Sequence, residues 1–139
     1  MVVDEWVFHR KRGLPKWERI GHPLDTLTVL SSMLLVLFCP PSPRALEAYA
    51  GLAALSCLFV TKDEFIHARL CSGAEHWLHS ILFLLHPLVF FVAAWLWPAI
   101  HSMHGGVRLG FAVQVALIGA FLIFQVVYWT CRDLEQNQP

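Results

Sequence analysis

Long apolar stretches alternate along the chain with short polar, proline-rich or glycine-bearing breaks, and the breaks divide it into four. The first stretch runs from about Pro23 to Cys39, the second from about Ala45 to Thr61, the third from Trp77 to Trp97 and the fourth from about Leu109 to Trp129. The third has no Asp, Glu, Lys or Arg in 21 residues. About 20 apolar residues rising 1.5 Å each cross a bilayer core. The pattern therefore predicts an all-α, integral membrane four-helix bundle, preceded by a basic amphipathic segment over residues 1–21. Cys39-Pro40-Pro41-Ser42-Pro43 separates the first two spans, and Pro98, Gly105 and Gly106 separate the last two. Pro23 suits the first turn of a helix, where its missing N–H costs nothing, and Asp25 suits the helix dipole there. The second span is expected to continue as helix to Leu70. On the fourth, Gly110, Ala112, Ala116, Gly119 and Ala120 are small enough for close helix contact.

Composition agrees with the pattern: 57% of the 139 residues are hydrophobic and 14% charged, against roughly 25% charged in a soluble domain. A formal net charge of zero gives no reason to expect nucleic-acid binding. Eight of the ten Lys and Arg fall in residues 1–21, between the second and third spans, or in the C-terminal tail; only Arg44 and Arg108 lie elsewhere. That asymmetry predicts both termini on the cytoplasmic side. Trp6, Phe8 and Trp17 among the N-terminal basic residues mark a segment lying at the headgroups, and no small-x-small cleavage site follows the first apolar run, so the segment is expected to be retained. Cys39, Cys57, Cys71 and Cys131 have no paired spacing and are read as free thiols.

The polar residues at one membrane level change the picture. His22 and Asp25 open the first span, Glu64 and His67 follow the second, and Glu75, His76 and His79 open the third. Each group repeats the i, i+3 or i+4 interval that puts side chains on one helix face. A turn at Cys71, Ser72 and Gly73 would bring the second and third groups together. Glu-x-x-His spacing on paired helices is how carboxylate-bridged di-metal sites are built in bundles. Snorkelling residues at an interface would instead be mostly Lys and Arg. The expected metal-ligand pool is His22, Asp25, Glu64, His67, Glu75, His76, His79 and His86, holding two divalent metal ions, iron ahead of zinc. A hydrogen-bond network without metal is the plain alternative.

His86 lies about 10 Å deeper than His79 by helical rise. An ionisable residue there marks a functional site by default; it is an inner metal ligand, a proton carrier, or a hydrogen-bond partner of Ser31, Ser32 or another helix. Cys57, at similar depth, Asp63 and Gln125 are expected around the site. His101 and His104, with Met103, are read as an outer loop, and His9 as a surface residue.

The gathering of histidines at helix ends, including His76-Trp77-Leu78-His79, resembles in design the histidine-rich membrane di-iron enzymes such as fatty-acid hydroxylases and desaturases, although their HxxxH and HxxHH boxes are absent. It is more distantly similar to ceramidase-like membrane zinc hydrolases. Carboxylate-rich imidazole ligation suits binding and activation of oxygen by iron, which points to oxidative chemistry on a lipid or other hydrophobic substrate. The alternatives are a zinc hydrolase of lipid esters or amides, and a non-catalytic metal- or haem-binding or transport protein. Homo-oligomers or a partner membrane protein fit the same sequence.

Overall fold

The structure, a computed structural model, describes residues 16–63, 72–102 and 105–136, with the side chains of all but 16, 18, 63 and 132–136. It contains α1 (Lys16–Phe38), α2 (Pro43–Val60), a single 3-10 turn at Thr61–Asp63, α3 (Gly73–Ser102) and α4 (Gly105–Gln136). All four α-helices are long and apolar enough to cross a membrane, and the described residues include no strand. The chain is an all-α, multi-pass membrane bundle. Glu64, His67, Cys71, Met103, His104 and the expected helix over 64–70 lie outside the described residues, as does most of the N-terminal basic segment.

Local chemistry explains where the helices start. Ser42, in extended conformation, accepts a hydrogen bond on Oγ from the Ala45 N–H at 3.2 Å, and Pro43 fills the first helical position of α2. Ser72 opens α3 in the same way: its Oγ accepts from the Glu75 N–H at 3.3 Å. Glu75 then stands in the first turn, where the dipole favours an acid.

Two boundaries differ from the sequence expectation. α1 begins at Lys16 and carries Pro23 inside it, and α3 runs through Pro87 and Pro98 to Ser102. A proline deletes one hydrogen bond from the ladder, whereas ending a helix inside lipid exposes several backbone groups, so the helices continue. His101 is accordingly a helical residue rather than a loop residue.

α1 and α3 each pack against the three other helices, while α2 and α4 do not pack extensively on one another. The C-terminal ends of α1 and α3 meet at one face, so these helices run parallel and α2 and α4 run opposite to them. The contacts there follow from the prolines. Pro40 and Pro43 have no N–H to offer the carbonyls of Val36 and Cys39 four residues earlier. Side chains of α3 supply the donors: His101 Nε2 donates to Val36 O and Trp97 Nε1 to Cys39 O, both at 2.8 Å.

The hydrophobic core fills this same half of the bundle. Met33, Val36 and Leu37 of α1 meet Tyr49 of α2 and Phe90, Ala93, Trp97 and Ile100 of α3, with Val115 of α4 closing the cluster. Tyr49 satisfies its hydroxyl by donating to Phe90 O at 2.7 Å and lays its ring 5.3 Å from that of Trp97. The outward faces carry exposed Leu58, Leu84, Phe91 and Trp95, as a lipid-facing surface does. A Cβ added at Gly110 or Gly119 would meet nothing within 4 Å, so these glycines make no close helix contact among the described residues.

Candidate functional site

The antiparallel order brings the start of α1, the end of α2, the start of α3 and the end of α4 to the opposite face from the core. A cavity of about 420 Å³ extends from the starts of α1 and α3 to the middle of α3 and α4. His22 and Asp25 of α1 and His79 and His86 of α3 line it together, four of the eight residues expected to bind metal. The remaining wall is mostly apolar, including Val29, Leu82, Phe83, Phe90 and Phe121. Leu85, Val89 and Leu117 both line the cavity and are exposed on the outer surface, so it opens towards lipid between α3 and α4.

The polar end is well removed from water. Asp25, Glu75 and His79 are 6%, 4% and 5% exposed, and both ring nitrogens of His79 are inaccessible. These are costly groups to bury, and they come from helix starts that the sequence separates by fifty residues. Glu75 is buried beside the cavity without lining it, and His76 is half-buried on the first turn of α3. Among the described residues, no three His, Cys, Asp or Glu side chains stand close enough together to hold one ion. Glu64 and His67, expected in the same ligand set, and the side chain of Asp63 lie outside the described residues. Cys57 packs on the hydrophobic core rather than lining the cavity. Cys39, Cys57 and Cys131 are free thiols.

His86 is tied to two other helices by a chain of hydrogen bonds whose direction is fixed. Thr28 Oγ1 lies 2.7 Å from Asp25 O, 2.8 Å from Ser56 Oγ, and Ser56 Oγ lies 2.9 Å from His86 Nε2. A carbonyl only accepts, so the single Thr28 hydroxyl proton goes to Asp25 O. Thr28 must then accept the Ser56 proton, and Ser56 must accept from His86 Nε2–H. The carbonyl at one end thus sets the tautomer of the imidazole at the other: Nε2 carries the proton and Nδ1 the lone pair. Phe90 holds the ring edge-on, with centroids 5.2 Å apart. Of the three roles weighed for His86, the hydrogen bond to another helix is present, with Ser56 as the partner instead of Ser31 or Ser32.

Gln125 is fully buried and accepts from Thr26 Oγ1 at 2.8 Å; its Nε2 has no hydrogen-bond partner among the described residues. Gln114 lines the cavity. Sequence reasoning missed Thr26, Thr28 and Ser56. Hydroxyls in membrane helices can bond to their own helix four residues back, as Ser31, Ser80 and Ser102 do here, so nothing in residue type separates those that reach across.

Comparison with protein-family models, curated proteins and solved structures finds no match for this chain.

Proposed function

We propose that the chain is a membrane-embedded metalloenzyme that acts on a lipid or other hydrophobic substrate at the cytoplasmic membrane face. The observation that carries the reading is the shared cavity: His22, Asp25 and His79 all line it, while its apolar wall opens towards lipid. Glu75 and His76 adjoin on the first turns of α3, and Glu64 and His67 follow α2 in the chain. Imidazole and carboxylate in this ratio suit iron, manganese or zinc. The number of acids favours two ions sharing carboxylates over one closed tetrahedral site.

The chemistry such a centre supplies is oxidative with iron. The chain's own residues bind and orient the substrate along the apolar wall and keep water from the reacting end. Zinc-dependent hydrolysis of lipid esters or amides is the second reading, favoured by the same buried carboxylates, one of which would take the proton of an attacking water.

Element analysis of protein purified without added metal tests the proposal. About two iron atoms per chain are expected in the wild type, falling at least severalfold in His79→Ala and Glu64→Ala while both variants stay helical. Two tightly held zinc ions would select the hydrolase. No stoichiometric metal would overturn both.

A further inference from the structure

His86 enters the cavity with one ring nitrogen already committed. Because Thr28 gives its proton to the Asp25 carbonyl, the chain of hydroxyls ends with Ser56 accepting from His86 Nε2–H. The ring can therefore meet an occupant of the cavity only through Nδ1, a bare acceptor. The ring does not turn easily to present its other edge, since Ser56 is fully buried and Phe90 packs edge-on against the imidazole.

We infer that the cavity takes an uncharged lipid-soluble alcohol, whose hydroxyl donates to His86 Nδ1 while its chain follows the apolar wall out between α3 and α4. This rests on reading the cavity as a substrate site but not on the metal. Three features select the headgroup. An acceptor on the protein requires a donor on the ligand, which excludes a plain hydrocarbon, a ketone or an ester from this contact. Among the described residues no Lys or Arg lines the cavity and Asp25 does, so no permanent cation there balances a carboxylate or phosphate headgroup. A cationic amine is disfavoured by depth, because His86 lies about two helical turns further into the membrane than His79. Size is consistent: about 30 Å³ for each water-sized group gives room for about fourteen non-hydrogen atoms, enough for a twelve-carbon alcohol.

The test uses the full chain, labelled with ¹⁵N-histidine, in phosphatidylcholine nanodiscs, with dodecan-1-ol, n-dodecane, dodecanoate and dodecylamine as probes. The His86 signals are identified by their loss in His86→Phe, a variant that keeps an aromatic ring against Phe90. In the wild-type protein His86 is expected as the Nε2-protonated tautomer, and its Nδ1 resonance is expected to move upfield with dodecan-1-ol but not with n-dodecane. His86→Phe should weaken dodecan-1-ol about fivefold, the effect of one net hydrogen bond, and leave n-dodecane unchanged. The wild-type spectrum stands whether or not the variant folds.

An Nδ1-protonated ring, an Nδ1 signal indifferent to the alcohol, or tighter binding of dodecanoate or dodecylamine overturns the inference. So does loss of bound metal in His86→Phe, which would make Nδ1 a ligand atom. Failure of the metal proposal is read separately, as wild-type protein without metal whose affinity for dodecan-1-ol is intact.

Discussion

At the scale of single residues, the polar side chains buried among the helices are the most informative. Within lipid, water is absent from both the separated and the packed helices, so an interhelical hydrogen bond contributes modestly, about 0.6 kcal/mol on average and up to about 1.7. Ser56→Ala removes the acceptor of His86 Nε2–H and should lower stability by about 1 kcal/mol, measured by SDS-induced unfolding in mixed micelles. Thr26→Val should cost more, about 1–3 kcal/mol, because it leaves the whole Gln125 amide buried without a partner. Adding Gln125→Met removes that stranded amide. The double variant should therefore recover most of the loss, and simple additivity of the two changes would contradict the pairing. Legibility at this scale was uneven. His22, Asp25, His79 and His86 stood out because ionisable groups are rare in membrane spans, and all four line the cavity. Thr28 and Ser56, which set the state of His86, did not stand out, because a hydroxyl in a helix has a local partner available.

At the scale of elements, the number and order of the helices were legible from the apolar runs, while their ends were not. Pro23 and Pro98 were read as boundaries, yet α1 and α3 run through both. The prolines that do end a helix are the cluster at 40, 41 and 43, where consecutive missing donors leave α1 no ladder to extend. Their consequence is a pair of carbonyls served by the side chains of α3. His101→Phe should thus destabilise the bundle by about 1 kcal/mol. Restoring a backbone N–H with Pro40→Ala in that background should regain part of the loss, whereas Pro40→Ala alone should not be stabilising to the same degree. Equal effects of Pro40→Ala in both backgrounds would show that His101 does not serve the Val36 carbonyl.

At the scale of the whole molecule, two halves of different character share one bundle. Around the ends of α1 and α3, Tyr49, Phe90 and Trp97 make a tightly packed apolar core. Around their starts, Asp25, His22 and His79 line one part of a mostly apolar cavity that packing does not fill. Four crossings place the ends of α1 and α2 at alternate faces, which labelling can read. With a membrane-impermeant maleimide, a variant retaining only Cys131 should react from the cytoplasmic side, and one retaining only Cys39 should not. Reaction of Cys131 from the outer side would invert the proposed orientation and move the cavity to the other face. The convergence of α1 and α3 starts was legible from topology and spacing. The cavity itself was not, since its shape depends on how far α3 and α4 part near Val89 and Leu117.

The central claim, that imidazoles and acids at this end of the bundle hold a metal centre, is tested most directly by X-ray absorption at the edge of whatever metal co-purifies. The account predicts a first shell of nitrogen and oxygen with the outer-shell pattern of imidazole, reduced in His79→Ala. A shell of sulfur, or a metal signal unchanged in that variant, would contradict it.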